Sequence, residues 1–310
     1  VTTGGVAAGG VTAGGSSADG LIVVDKPAGM TSHDVVARIR RLAKTRRVGH
    51  GGTLDPMATG VLIIGVGRAT RLLTYVIGSS KSYAATIRLG QSTVTDDAEG
   101  EVTAVGAVAG VGDEAIRAGL AAQRGEIDQV PSAVSAIKVN GERAYKRVRE
   151  GETVELPARR VTISRLDVLD IRRVAEPEVI DVEVEVDCSS GTYIRAIARD
   201  LGAVLGVGGH LTALRRTAVG RMTLAEAVTL DELELRAPDV VGLSMSEAAR
   251  QAFPQRTATA EEARVLSHGG PLEPVGIGGP YAVFGPTGEV LAIVSERAGR
   301  ARAEIVLAPA

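Results

Sequence analysis

The sequence predicts an α+β fold dominated by sheet, with a large domain followed by a small, mostly β one. Three observations carry this. Two segments, Ala85-Thr86-Ile87-Arg88-Leu89 and Val182-Glu183-Val184-Glu185-Val186-Asp187, alternate apolar and polar side chains with period two, as half-buried strands do. Other stretches repeat apolar residues at helical spacing. From about residue 245 the texture changes to a short helix and a hairpin pattern.

Taken in order, residues 1–20 are low-complexity Gly, Ala, Thr, Ser and Val. They lack the basic and apolar regions of a signal peptide and read as a flexible tail. Leu21-Ile22-Val23-Val24 is a short buried strand stopped by Asp25-Lys26-Pro27-Ala28-Gly29. Thr31 and Asp34 have the spacing of a capping box, and Val35, Ile39 and Leu42 follow at helical spacing, predicting a helix over 33–45. Its other face carries Arg38, Arg41 and Lys44, with Arg46 and Arg47 beyond, a basic cluster that is either a solvated face or a phosphate-binding patch. The strand at 182–187 runs through Cys188-Ser189-Ser190-Gly191 into a helix with Ile194, Ile197, Ala198, Leu201 and Leu205 on one face, closed by Gly206. Near the end, a helix over 261–267 precedes a hairpin of strands 281–284 and 289–294, and a last strand spans 304–307.

Composition narrows the function classes. With 310 residues and 45% hydrophobic content, the chain can bury a large core, and with aromatics at 2% that core must be mostly Val, Leu, Ile and Ala. The net charge of −2 decides nothing about a nucleic-acid partner, because placement matters as well as sum. Cys188 is the single cysteine, so no disulfide forms within the chain, no Cys/His set has zinc spacing, and a reducing cytoplasm fits. The most apolar run, 61–66, falls far short of the roughly 20 residues that cross a bilayer, so a soluble protein is expected.

The chemistry concentrates in Gly49-His50-Gly51-Gly52-Thr53-Leu54-Asp55-Pro56-Met57-Ala58-Thr59-Gly60. This glycine loop lacks the Lys-Ser/Thr ending of a P-loop and the spacing of a dinucleotide fingerprint. Pro56 biases Asp55 towards an extended shape, and taken alone Asp-Pro reads equally as a turn.

The run 49–60 resembles the central motif of TruB-type pseudouridine synthases. The same family is matched by Val24-Asp25-Lys26-Pro27-Ala28-Gly29-Met30-Thr31-Ser32, Lys81-Ser82-Tyr83, Arg88-Leu89-Gly90-Gln91, Asp96-Asp97-Ala98-Glu99-Gly100 and Cys188-Ser189-Ser190-Gly191-Thr192-Tyr193-Ile194-Arg195. Pro131-Ser132-Ala133-Val134-Ser135-Ala136-Ile137-Lys138 and Leu214-Arg215-Arg216-Thr217 also look like family segments. The resemblance thus runs in order from about 21 to 220, and more loosely the tail beyond 245 is similar to a PUA-like domain.

The resemblance implies a pseudouridine synthase fold, with a central mixed, mainly antiparallel sheet flanked by helices. It implies a catalytic domain over 21–240 with an RNA-contacting insertion about 96–160, then a PUA-like domain over 245–310. It places the catalytic aspartate at Asp55, assigns Arg195 as its cation, and makes Tyr83 the surface on which an extruded uracil stacks. An ionised carboxylate in a pocket needs such a cation, since desolvation penalises its charge. His50 is expected beside the displaced base, Asp97 at the uracil edge or ordering its loop, and Tyr193 and Leu214 around the pocket. Lys26, Arg38, Arg41, Arg46 and Arg47 are the expected contacts to the RNA backbone. The implied reaction moves the ribose bond from N1 to C5 of one uracil, in the T loop of tRNA, and its balance requires neither metal nor organic cofactor. A monomer without obligatory protein partner or membrane association is expected. Two rivals share the fold: a non-catalytic tRNA-binding or folding protein, and a guide-RNA-dependent synthase of the dyskerin type.

Overall fold

The computed structural model describes residues 19–132, 138–139, 142–143 and 156–308. The expected tail lies outside these up to residue 18, as do residues 133–137 of the Pro131-to-Lys138 segment. The strands are β1 (Gly20–Lys26), β2 (Val48–Gly51), β3 (Thr59–Val66), β4 (Lys81–Leu89), β5 (Gln91–Thr93), β6 (Val102–Val105), β7 (Gly125–Gln129), β8 (Lys138–Val139) and β9 (Glu142–Arg143). They continue with β10 (Arg159–Val174), β11 (Val179–Cys188), β12 (Gly209–Val219), β13 (Met222–Thr223), β14 (Leu243–Ser244), β15 (Gln255–Thr257), β16 (Tyr281–Phe284), β17 (Val290–Arg297) and β18 (Arg300–Val306). The helices are α1 (Ser32–Leu42), α2 (Leu73–Gly78), α3 (Asp113–Ala121), α4 (Ile194–Val204), α5 (Leu230–Arg236), α6 (Met245–Ala252) and α7 (Ala260–Ser267).

Ten strands form one sheet in the order β14-β1-β3-β12-β4-β11-β10-β7, with β2 beside β3 and β13 beside β12. Every pairing in it is antiparallel except β3 with β12. The alternation read in the sequence is realised: β4 buries every second residue from Lys81 to Leu89, and β11 buries Val182, Val184 and Val186. These side chains share a core with Val35, Val36 and Ile39 of α1 and Ile194, Ile197 and Leu201 of α4. The capping box forms as expected, Thr31 Oγ1 accepting from the Asp34 N–H and Asp34 Oδ2 from the Thr31 N–H; such a cap is worth about 1 kcal/mol. α1 stops at Leu42, short of the expected 45, because Lys44 has turned to φ 50°.

Gly60 fixes where β3 meets β12. It pairs with Arg216 at φ 96°, and a Cβ there would lie 2.2 Å from the Arg216 carbonyl oxygen, so only glycine lets the strands approach.

The second sheet runs β15-β16-β17-β18, with the expected hairpin as β16 and β17 and the last strand beginning earlier, at Arg300. The two sheets share a core: Leu21, Val23, Val61 and Ile63 pack in one cluster with Ala282, Phe284 and Ile293. Tyr75 on α2 meets Phe253 edge-on at 5.0 Å, and its hydroxyl donates to Glu304 on β18 at 2.7 Å. Among the described residues no helix is long and apolar enough to cross a membrane.

Candidate active site

The loop between β2 and β3 is held at residues on both sides of Asp55. Before it, buried Ser32 at the start of α1 bonds both backbone groups of Leu54: its Oγ accepts the N–H at 2.9 Å and donates to the carbonyl at 3.1 Å. After it, the Pro56 carbonyl accepts from Lys26 Nζ at 3.1 Å and from the Gly29 N–H at 2.9 Å. Further back, buried Arg216 on β12 donates to the carbonyls of Gly52 at 3.0 Å and Thr53 at 3.3 Å, and through Nε to Val61 at 2.7 Å. Gly52 adopts φ 86° there, with the Arg216 guanidinium and the Lys81 chain close against it.

The presented carboxylate meets a buried guanidinium. Arg195 Nε lies 3.0 Å from Asp55 Oδ2; the arginine side chain is 5% exposed and the aspartate 34%. Arg195 also donates to the Thr95 carbonyl at 2.8 Å and sits 3.6 Å from Asp97 Oδ2. Asp97, itself buried, accepts from the Thr95 hydroxyl and from the Glu99 N–H at 3.1 Å. The three residues form a charge-assisted cluster in which one guanidinium faces two carboxylates.

A cavity of about 310 Å³ opens over this pair, lined in part by Asp55, Ile77, Lys81, Tyr83, Thr192, Tyr193, Arg195, Leu214 and Arg216. Its size suits a single nucleoside. Tyr83 forms a wall, and burial pushes its phenol up to about 12 despite the bond from Arg216, so it is a neutral hydroxyl at physiological pH. Lys81 Nζ donates to the Ile77 and Ser79 carbonyls, and burial lowers it to about 8.

Of the residues expected from sequence, Asp55, Tyr83, Tyr193, Arg195 and Leu214 come together around this cavity. Others do not. Lys26 is fully buried, with Nζ donating to the carbonyls of Pro27, Met30 and Pro56, so it braces the loop where a surface cation was expected. Arg38 lies away from the cavity and is paired with Asp231 at 3.2 Å and Glu234 at 2.8 Å. Asp97 orders its loop and Arg195 and does not line the cavity. His50, on β2, also stands outside the lining; it meets His33 edge-on at 5.3 Å, and burial holds its imidazole below the ordinary value, with His33 adding to the effect. Arg41, Arg46 and Arg47 are exposed.

Sequence reasoning missed Arg216 and Lys81 as cavity residues. The signal was present: in a strand, residues two apart share a face, so Leu214 brings Arg216 and Tyr83 brings Lys81.

A mixed sheet of this topology, with an aspartate–arginine pair and a tyrosine lining one cavity, is the pseudouridine synthase fold. The solved archaeal box H/ACA Nop10-Cbf5 complex superposes with a TM-score of 0.69 at 26% identity, over 94% of this chain and 86% of that one. The chain belongs to the TruB family: residues 40–194 match the TruB family pseudouridylate synthase N-terminal domain. Residues 195–238 match the tRNA pseudouridylate synthase B C-terminal domain, and residues 253–308 match the tRNA pseudouridine synthase II C-terminal model. Similar proteins named tRNA pseudouridine synthase B occur in Arthrobacter sp. (strain FB24), 57% identical over 94% of this chain and 97% of that protein, and in Thermobifida fusca (strain YX), 57% identical over 94% and 99%.

Proposed function

We propose that the chain isomerises the T-loop uridine of tRNA to pseudouridine, with Asp55 as the group that breaks and remakes the glycosidic bond. The observation that carries this is the Asp55 carboxylate, fixed 3.0 Å from buried Arg195 at a cavity walled by Tyr83. The reaction breaks C1′–N1, forms C1′–C5 and replaces the hydrogen on C5 by one on N1, so its atoms balance without oxidant or added group. A carboxylate at the sugar–base junction serves as nucleophile, and the cavity walls keep the detached uracil in place for the second bond.

Entry to the cavity requires the uridine to leave its stack, and Tyr83 offers the compensating surface, worth about 1–3 kcal/mol for a base on an aromatic ring. Leu214 and Tyr193 close the sides. Exposed Arg41, Arg46 and Arg47 are suited to backbone phosphates, and residues 245–310 form a PUA-like module for the rest of the tRNA. The stand-alone reading is preferred over a guide-dependent one because relatives named tRNA pseudouridine synthase B are 57% identical across nearly the whole chain, against 26% for the Cbf5 complex. Purified protein incubated with an unmodified tRNA transcript and no other RNA or protein tests it: pseudouridine in the T loop is expected, and an unmodified transcript overturns the reading.

A further inference from the structure

Arg195 takes its aim from groups on two different pieces of chain. Its oxygen partners Thr95 and Asp97 flank Asp96, whose backbone sits at φ 59°, a left-handed conformation that a non-glycine residue keeps where its surroundings hold it. Ser132 is one such hold: fully buried, it donates from Oγ to Asp96 Oδ2 at 2.6 Å, while Arg199 Nη1 lies 3.6 Å from the same oxygen. On the other side, the chain enters α4 through Tyr193, a helix cap whose own side chain makes no bond to the helix. Gln129, buried at the end of β7, grips that residue at both backbone groups. Its Oε1 accepts the Tyr193 N–H at 2.8 Å and its Nε2 donates to the Tyr193 carbonyl at 3.1 Å. Between the two, the Val130 carbonyl accepts from Arg199 of α4 at 2.7 Å.

The geometry points to Gln129 and Ser132 as positioning residues for Arg195: residues 129–132 form a bracket joining the loop that supplies two of its oxygen partners to the helix start that carries it. This rests on the reading that the Asp55–Arg195 pair performs the chemistry. Neither residue lines the cavity, so each acts through what it holds: Gln129 through the start of α4 at Tyr193, and Ser132 through the Asp96 loop, both of which lead to Arg195. The Gln129 amide fits because a backbone N–H and C=O need an acceptor and a donor together; a carboxylate would supply only the acceptor.

The test compares Gln129→Leu, Ser132→Ala and Ser132→Thr with wild type. It uses single-turnover pseudouridine formation at saturating tRNA, and tRNA affinity measured separately. Gln129→Leu and Ser132→Ala should slow the reaction by on the order of 10–10²-fold, as sub-ångström to ångström misplacement does, with affinity unchanged. Ser132→Thr, which restores the hydroxyl, should recover most of the rate. In an Arg195→Lys background the Gln129→Leu loss should shrink, because residues acting through one another are not additive. Wild-type rates in both variants, a loss confined to affinity, or full additivity with Arg195→Lys overturns the bracket. If Gln129→Leu does not fold, the Ser132 pair decides alone. A wild type that forms no pseudouridine overturns the functional reading itself, which keeps the two failures apart.

Discussion

Replacing Arg195 by lysine keeps the positive charge and removes the planar fork that serves Asp55, Thr95 and Asp97 at once. At an effective dielectric near 20, unit charges at the observed 3.0 Å attract by about 5 kcal/mol, and those at 3.6 Å by slightly less. Solvent screening reduces the first figure, since Asp55 is about one-third exposed. An ammonium retains attraction to one carboxylate at a time and forfeits about one charge-assisted hydrogen bond, roughly 2 kcal/mol. For a chain of 310 residues that lowers Tm by about 3 °C. The rate should fall much further, by on the order of 10²-fold, because Asp55 loses its fixed direction. The assay is single-turnover release of tritium from C5-labelled uridine in tRNA, run well below the variant's Tm; tritium leaves when C5 becomes the glycosidic carbon. A wild-type rate in folded Arg195→Lys, or a loss no larger than its unfolded fraction, would refute the reasoning.

Tyr83→Ala should slow modification by about ten- to a hundredfold through loss of a stacking surface worth about 1–3 kcal/mol, whereas Tyr83→Phe should keep that surface and bind tRNA as wild type does; equal affinity loss in both would contradict a stacking role. Arg41→Gln and Arg46→Gln should each weaken tRNA binding and reduce its salt slope by about 1, while Arg38→Gln leaves the slope unchanged because Asp231 and Glu234 already hold that guanidinium; salt titrations of binding decide. The bond from Arg88 to buried Asp181 holds that carboxyl below its usual range, so its contribution is present above about pH 4 and is lost as pH falls through the lower folded value. Asp181→Asn should therefore cost about 1–3 kcal/mol in urea unfolding at neutral pH, with the gap to wild type closing in acid; a gap independent of pH would exclude this.

Much of the fold could be read from local patterns because those patterns have one physical solution. Alternation through Ala85-Thr86-Ile87-Arg88-Leu89 and through the valines of β11 can bury an apolar face only as strands, and Thr31 with Asp34 can start a helix with no help from elsewhere. Asp55, Tyr83 and Arg195 were reached through the order of motifs; nothing local distinguishes Asp55 from a turn former. What escaped depends on contacts between distant segments. Lys26 reads as a surface cation until the Pro56 carbonyl, 30 residues on, is seen to receive its amine, and Arg38 reads as free until α5 supplies Asp231 and Glu234. The core shared by both sheets escaped for the same reason: Val23 and Phe284 each look like residues of their own domain's interior.

The central claim is that Asp55 carries the bond-breaking step. It is tested most directly by mapping pseudouridine in a tRNA transcript treated with wild-type or Asp55→Asn protein, with binding of the same transcript measured alongside. Wild type should form a T-loop pseudouridine, the variant none, and both should bind tRNA; pseudouridine formed by Asp55→Asn would contradict that role for Asp55.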